Sequence, residues 1–198
     1  MGEIVGRQRP ARNRLLKAAA DLFYAHGIAA TGIDAITEQA GVARKSLYNN
    51  FASKDELVLT YLTERHQEWL GLHRLRTAEA RTARERVLAV FDAYIDHAEA
   101  AYSHGFRGCG LLNAAAELPV GAPGRAAVRA HKEEVESILA AGLTEALDAD
   151  LAADLAEELS FLLEGAVARA GLEGTSDRLV RARTIAAALV DAELVDAA

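Results

Sequence analysis

Residues 31–56 read TGIDAITEQAGVARKSLYNNFASKDE, and their pattern decides the fold. Apolar side chains recur there at helical spacing in two short runs, which predicts two successive helices. Gly41 lies between the runs, and glycine readily adopts the left-handed backbone that a tight turn needs. Two helices joined by such a turn form a helix-turn-helix unit. The apolar positions are Ile33, Ile36, Ala40, Leu47 and Phe51.

The second helix of such a unit enters the major groove of DNA, so its outward side chains are expected to face bases and phosphates. Arg44 is the candidate for a base edge, because a guanidinium matches the paired acceptors of guanine. Lys45, Tyr48 and Lys54 are expected to hold phosphates, which position the protein without reading sequence. The Thr31 hydroxyl is predicted to cap the first helix of the unit or to meet a phosphate. The predicted contact set is Thr31, Arg44, Lys45, Ser46, Tyr48, Asn49 and Lys54.

The segment from Gly41 to Phe51, together with Lys54 and Glu56, resembles the signature of the TetR family of transcriptional repressors. In that family a Gly-Val turn leads into a Leu-Tyr-x-x-Phe helix and then into a Ser-Lys-x-Glu helix start. Ala43 departs from the pattern, because the family commonly has Ser or Thr there, and one capping hydroxyl is therefore missing. The resemblance implies a homodimer that binds a palindromic operator and is released from it by a small molecule.

Charge is unevenly distributed along the 198 residues, whose net charge is −7. Residues 1–54 contain eight Lys or Arg and four Asp or Glu, whereas residues 55–198 contain fourteen and twenty-five. A basic region on an otherwise acidic chain favours binding of a polyanion at one end. We therefore expect residues 1–54 to form a DNA-binding domain, and residues 55–198 to form an effector-binding and dimerisation domain.

The sequence also indicates a cytoplasmic protein. It has no run of about 18 apolar residues and no signal-peptide pattern, so no membrane is expected as a partner. The single Cys109 cannot form an intramolecular disulfide, which agrees with a reducing compartment. Residues 1–11, with Arg7 and Arg9, are predicted to be an arm that either contacts DNA or has no fixed contact.

Helical periodicity continues to the end of the chain, so the predicted fold is all-α with about nine helices. Its parts are an N-terminal three-helix helix-turn-helix domain and a C-terminal helical domain. Ser53 and Glu56 form a capping box that starts a helix ending near residue 76. Later helices are predicted over residues 83–103, 106–118, 125–147, 151–170 and 176–193. The last two are apolar over wide arcs, which predicts a second buried face on each. In the TetR family, corresponding helices form the homodimer interface.

A second resemblance covers Arg107 to Glu117, because an Arg-Gly-Cys-x-x-x-Asn-Ala-x-x-Glu stretch borders the regulatory cavity in a subset of TetR-like proteins. It implies a small-molecule effector in a mostly apolar cavity with a few polar groups. Arg65 and His131 interrupt apolar stripes. Each either finds a protein partner such as Glu117 or awaits a ligand, which would then be anionic. For Arg65 we expect an extension to the surface, because burying an unpaired charge is costly. The predicted pocket residues are Arg65, Trp69, Tyr94, Tyr102, Phe106, Cys109, Asn113, Glu117 and His131.

Other functions are disfavoured by the pattern of polar residues. His66 and His73 are seven residues apart, as are His97 and His104, and neither pair has the spacing or the additional ligands of a metal site. Cys109 is either a small buried hydrophobe or a redox sensor. No phosphate loop, nucleotide fingerprint or catalytic carboxylate pair is present, so no metal, cofactor or catalytic residue is expected. A DNA-binding dimer without an effector is the second hypothesis, and an all-α enzyme with an unmarked cavity is the third.

Overall fold

Nine α-helices and no strand form the described part of the chain, residues 10–100 and 104–196 of a computed structural model. The all-α prediction is therefore confirmed, including its three-helix beginning. The helices are α1 (Pro10–His26), α2 (Ile33–Gln39), α3 (Arg44–Asn50), α4 (Lys54–Thr77), α5 (Ala83–Glu99), α6 (Gly110–Glu117), α7 (Pro123–Leu143), α8 (Ala149–Glu173) and α9 (Asp177–Asp196).

These helices divide between two compact units. Of the described residues, the first unit contains those up to Glu64 together with Leu111–Ala127. The second unit contains Arg65–Gly110 and the residues from Val128 onwards. Compactness does not report function, so the predicted functional division after residue 54 stays a prediction.

The core of the first unit is built by the apolar stripes that the sequence shows. Leu47 and Phe51 are 0% and 1% exposed, which confirms that they are core residues. Ile36 from α2 is equally buried. Phe23 and Tyr61 pack edge to face, with ring centroids 5.5 Å apart, and so join α1 to the first half of α4.

The starts of α4 and α5 carry Ser/Thr-x-x-Glu capping signals. The Oγ of Ser53 accepts the N–H of Glu56 at 3.1 Å, as predicted, although the Glu56 carboxylate accepts the N–H of Ala52 and not that of Ser53. At the start of α5, Thr82 and Glu85 form a complete capping box. The Thr-x-x-Glu spacing is the sequence signature of this box.

The region around Gly108 corrects two predicted boundaries. α6 begins at Gly110 and not at residue 106, because Gly108 has a φ of +80°, which an α-helix cannot contain. The backbone at Gly108 packs directly on Gly171 of α8, where an added Cβ would lie 2.5 Å from the Gly108 nitrogen. Gly171 is therefore a contact residue inside α8 and not the start of a loop. The helix continues to Glu173 and ends at Gly174, which is left-handed with a φ of +73°.

Two further helix ends differ from prediction. α5 ends at Glu99, earlier than expected, and residues 101–103 lie outside the described ranges. α7 ends at Leu143 instead of residue 147. The predicted arm falls on residues that the structure does not describe, apart from Pro10 and Ala11, which already belong to α1.

The second unit has its core between α5, α8 and α9. Phe91, Leu159 and Ala186 are each 0% exposed there. A bidentate ion pair joins α9 to α5, because the guanidinium of Arg183 contacts both carboxylate oxygens of Asp92, at 2.6 and 3.1 Å.

The last two helices also carry apolar side chains on their outer surface. Phe161 and Leu172 of α8 are 66% and 86% exposed, and Val180 and Val195 of α9 are 47% and 74% exposed. Their spacing places them along one side of each helix. We call these four residues the outer apolar face. Within the described ranges, no helix is long and apolar enough to cross a membrane.

Candidate DNA interface and interior polar cluster

The turn between α2 and α3 has the expected geometry. Gly41 has a φ of +60° and donates its N–H to the carbonyl of Glu38 at 3.0 Å. Ala43 precedes α3 with an extended backbone and makes no side-chain capping bond, which confirms the missing hydroxyl. Because Leu47 is turned inward, the opposite side of α3 is turned outward.

The outward side of α3 is polar and accessible. Arg44, Lys45 and Asn49 are exposed, and Tyr48 is 49% exposed. Ser46 is half-buried, so it is the least accessible member of the predicted set on this helix. Cationic and hydrogen-bonding groups at successive positions of one helix form a surface that suits a DNA groove.

Arg44 is held by a neighbour that the sequence does not reveal. Its guanidinium lies 3.0 Å from the carboxylate of Asp34 on α2, and the two side chains are 60% and 80% exposed. A hydrogen bond with Tyr48 and the nearby charge of Asp34 raise the pKa of Arg44. An ion pair this exposed is screened by water and contributes little to stability, so Arg44 can exchange Asp34 for a base edge at small cost.

Two predicted contacts are engaged inside the first unit. Thr31 is 3% exposed, and its hydroxyl donates to the carbonyl of Gly27 at 2.7 Å. The residue before α2 is Gly32, so the prediction that Thr31 caps this helix is wrong. Lys54 is half-buried, and its Nζ donates to the carbonyl of Ile28 at 2.6 Å. This geometry does not support Thr31 or Lys54 as phosphate contacts, which remain predictions.

Glu117 also contacts Ile28, although the sequence places it with the predicted pocket. Its carboxylate accepts the N–H of Ile28 at 3.0 Å and the N–H of Ala29 at 2.7 Å. Gly27 allows this approach, because an added Cβ would lie 2.5 Å from a Glu117 oxygen. Glu117 and Lys54 thus hold the backbone of the turn after α1 from both sides. We call these two residues the Ile28 clamp.

Arg65 corrects a prediction in the second unit. Its side chain is only 14% exposed, so it does not extend freely to the surface. It pairs with Glu68 at 2.6 Å and lies 2.7 Å from Nε2 of His97. The partner is therefore not Glu117, and the buried charge is compensated within the unit.

His131 is 3% exposed and belongs to a chain of polar contacts. Lys132 donates to the Tyr94 hydroxyl at 3.4 Å, and that oxygen lies 3.5 Å from Nε2 of His131. Nδ1 of His131 lies 2.9 Å from Nδ1 of His66, whose Nε2 faces Glu134 at 3.4 Å. All contacts are satisfied when Tyr94 donates to His131 and His131 donates to His66.

Burial keeps the interior histidines uncharged. Burial and the neighbouring charge of Arg65 lower the pKa of His97 to about 3. Burial and the charge of Lys132 lower the pKa of His131 to about 3 as well. Neither ring therefore supplies a positive charge near neutral pH.

Lys132 is the cation that sequence analysis missed. Burial lowers the pKa of Lys132, but the Glu164 carboxylate beside Nζ favours the charged form, and the net result is a raised pKa. The Glu164 carboxylate lies 2.6 Å from Nζ of Lys132 and is its compensating charge. Tyr94 does not supply this charge, because burial raises its pKa and keeps its hydroxyl protonated. Since Arg65 and Lys132 both have protein partners, nothing in their geometry calls for an anionic ligand.

Three polar atoms of this region are buried with no hydrogen-bond partner among the described residues: Nε1 of Trp69, Nε2 of His73 and Oε2 of Glu164. Trp69 and His73 stack in parallel, with ring centroids 5.4 Å apart. Unsatisfied buried polar atoms are unfavourable, so they are candidates for contacts to a bound molecule. The interior polar cluster consists of Arg65, Trp69, His73, Tyr94, His97, His131, Lys132 and Glu164.

The remaining predicted pocket residues lie in different places. Phe106 is 7% exposed and packs edge to face with His97. Cys109 is half-buried against the apolar core of the second unit, as a small hydrophobe would be. Asn113 is exposed and belongs, like Glu117, to the first unit. Tyr102 lies outside the described residues.

Metal coordination has no support in the described ranges, where no three His, Cys, Asp or Glu side chains are grouped closely enough to hold an ion. His66 and His73 fall in different pairings, with His131 and with Trp69.

Comparison with known proteins covers both halves of the chain. Residues 15–61 match the family described as "Bacterial regulatory proteins, tetR family", and residues 83–186 match "Tetracyclin repressor-like, C-terminal domain". A solved TetR-family transcriptional regulator from Streptomyces coelicolor is 32% identical, with a TM-score of 0.82, and the similarity covers 91% of this chain and 96% of that chain. The regulatory protein TetR from Rhodobacter sphaeroides is 27% identical, with a TM-score of 0.74 and coverage of 90% and 98%.

Curated relatives match over shorter stretches. The HTH-type transcriptional activator FasR of Mycolicibacterium smegmatis is 40% identical over 91 residues, which are 44% of this chain and 40% of that protein. The HTH-type transcriptional repressor KstR2 of Mycobacterium tuberculosis is 40% identical over 58 residues, or 29% of each chain. The chain thus spans less than half the length of these relatives. The matched proteins are transcription regulators and not enzymes. The chain belongs to the TetR family of DNA-binding transcriptional regulators.

Proposed function

We propose that the protein is a cytoplasmic repressor that binds a palindromic operator as a homodimer and leaves it when a small molecule binds. The observation that carries the DNA-binding part is the division of α3, which buries Leu47 and exposes Arg44, Lys45, Tyr48 and Asn49. In a helix-turn-helix dimer, two such helices read half-sites about one helical turn of DNA apart, so a two-fold protein selects a palindrome.

The homodimer is supported by the outer apolar face. Phe161 and Leu172 on α8, like Val180 and Val195 on α9, stay exposed in the single chain. A helix that is apolar on two sides needs a second partner, and an isologous contact provides the same partner to both copies. The interface we propose consists of α8 and α9 from each chain.

The effector response is supported by the interior polar cluster. Among the described residues, the ring nitrogens Nε1 of Trp69 and Nε2 of His73 have no hydrogen-bond partner. Both residues lie on α4, the helix that begins with Lys54 of the Ile28 clamp. A ligand that accepts a hydrogen bond from Trp69 would favour one conformation of the protein. Such a ligand can release the protein from DNA only if it binds the DNA-free conformation more tightly. The coupling free energy between ligand binding and DNA binding would be about 1–3 kcal/mol. Repression is our proposal for the sign of regulation, because the family matched by residues 83–186 is described as repressor-like and the relative KstR2 is named a repressor, whereas FasR is named an activator.

The test is a mobility-shift assay with the DNA upstream of the protein's own gene, over a range of salt concentrations. We expect saturable binding of a dimer that weakens as salt rises. Arg44→Ala should relax discrimination at one base pair by about 1–3 kcal/mol, whereas Lys45→Ala should weaken all sequences about equally. No binding at low salt would contradict the proposal, and tight binding without any ligand-induced release would favour a dimer that has no effector.

A further inference from the structure

The first unit contains a groove that the proposed function does not use. Its volume is about 410 Å³, and it lies between the first turns of α4, the end of α6 and the start of α7. The walls are mostly apolar, and carboxylates are present at the α4 side. None of the lining residues belongs to the interior polar cluster. The residues that matter here are Asp55, Glu56, Leu59, Leu118, Pro119 and Ala122.

We propose that this groove is a second ligand site, which binds a small organic cation with an apolar body. The size fits such a ligand, because small-molecule sites usually enclose about 300–1,000 Å³. Leu59 is 38% exposed in the groove wall, so part of its apolar surface is available to an occupant. Covering apolar wall with an apolar body removes both surfaces from water.

Charge selects the head group of the ligand. Asp55 and Glu56 are consecutive, both exposed, and both line the groove. Glu56 uses one carboxylate oxygen to accept the N–H of Ala52, which fixes its position at the start of α4. The start of a helix carries about half a positive charge, which two carboxylates exceed. Two cations are adjacent in sequence to the lining residues. Lys54 directs its Nζ to the carbonyl of Ile28, and Arg125 directs its guanidinium to the carbonyls of Ala115 and Leu118. The groove therefore favours a cation over an anion of the same shape.

The groove lies beside both members of the Ile28 clamp. Asp55 follows Lys54 directly on α4, and Leu118 follows Glu117 at the end of α6. A ligand that contacts both of these walls favours a particular arrangement of the two residues that hold the turn after α1. The site itself does not depend on the proposed function, but its effect on operator binding does.

The binding test uses isothermal titration of the full chain, at low ionic strength, with butyl-, hexyl- and octyltrimethylammonium. Octanoate and octanol have a similar apolar chain but an anionic and an uncharged head group, respectively, and so test the role of charge. We expect the dissociation constant to fall about fourfold per added methylene until the groove is filled. Octyltrimethylammonium should bind more tightly than octanol, and octanoate should bind most weakly.

Two variants locate the site. Asp55→Asn removes one charge without changing shape, and we expect it to raise the dissociation constant for octyltrimethylammonium by about threefold. Ala122→Leu adds three carbon atoms to the wall and should abolish binding. Glu79→Gln changes the net charge by the same amount at an exposed position outside the groove and should leave binding unchanged. If circular dichroism shows that the Ala122→Leu protein does not fold, the effect of Asp55→Asn on the dissociation constant alone decides whether the groove is the binding site.

Equal affinity for octanoate and octyltrimethylammonium would overturn the proposal, as would binding that neither variant weakens. Operator affinity is then measured by fluorescence anisotropy with and without saturating octyltrimethylammonium. A changed affinity supports the coupling through the Ile28 clamp, and an unchanged affinity overturns that coupling. Failure of the ligand-free protein to bind any operator would instead count against the proposed function.

Discussion

Removal of the Glu117 carboxylate tests whether the Ile28 clamp holds the turn after α1. In Glu117→Ala, the N–H groups of Ile28 and Ala29 both lose their acceptor. Ala29 is exposed, so water replaces the carboxylate there, but Ile28 is only 7% exposed and its N–H stays unsatisfied. Leaving one buried donor unsatisfied costs about 1–3 kcal/mol.

Amide hydrogen exchange measures this cost at the residue concerned. A local loss of about 2 kcal/mol accelerates exchange of the Ile28 amide roughly thirtyfold. Glu117→Gln keeps one acceptor oxygen and should lie between the wild type and Glu117→Ala. Glu64→Ala, an exposed change in the same unit, is the matched control and should leave the Ile28 amide unchanged. Unchanged exchange in a folded Glu117→Ala protein would show that the carboxylate does not hold this turn.

Three further predictions concern the recognition helix, the homodimer and the buried histidines. Asp34→Asn frees Arg44 from its exposed ion pair and removes a negative charge from the DNA-facing side, so operator affinity in an anisotropy assay should rise about threefold to tenfold. Phe161→Glu places two like charges in the proposed symmetric interface, so sedimentation should show a dimer dissociation constant raised at least about a hundredfold. His97 and His131 have folded-state pKa values near 3, below the ordinary 6.5, so the unfolded state binds more protons between these values. Their contribution to stability is therefore fully present above pH 6.5 and falls by about 1.4 kcal/mol per pH unit per ring as the pH drops towards 3, which urea unfolding at pH 7, 6, 5 and 4 measures.

Each of these has its own control and its own contrary result. Asp21→Asn, exposed on α1, should change operator affinity less than Asp34→Asn does, and equal effects would show that only net charge matters. Leu75→Glu, 74% exposed on α4, should leave the oligomeric state unchanged, and a persistent Phe161→Glu dimer would place the interface elsewhere. The double variant His97→Gln and His131→Gln should lose most of the pH dependence of the free energy of unfolding. An unchanged slope against pH would show that this dependence comes from carboxylates.

Prediction succeeded where the sequence pattern and the local structure obey the same rule. Leu47 and Phe51 are buried because a one-turn spacing puts them on one side of α3, and Gly41 forms the turn because its φ is positive. It failed at Gly171, which the sequence presents as a loop residue. The backbone at Gly108 lies so close to Gly171 that no side chain fits there, which explains the glycine. No local sequence pattern predicts a contact between residues so far apart.

The candidate sites show the same limit. Glu117 falls within a stretch associated with the regulatory cavity, but its carboxylate reaches the backbone of Ile28, 89 positions away. Arg65 interrupts an apolar stripe, and the sequence correctly marks it as unusual without identifying His97 as its neighbour. The sequence reports that a polar group needs a partner, because burial of a charge is costly, but the partner is chosen by the packing of helices.

The sequence by itself determined the helices, the inward side of α3 and the excess of apolar surface on the last two helices. These depend on periodicity, glycine conformation and capping, which act over a few residues. Tertiary structure alone decided that Lys54 and Glu117 hold the Ile28 backbone, that Asp34 restrains Arg44, and that Lys132 enters the interior polar cluster. Side-chain partners of this kind come from distant positions that the fold brings within hydrogen-bonding distance, and no local rule of spacing encodes them.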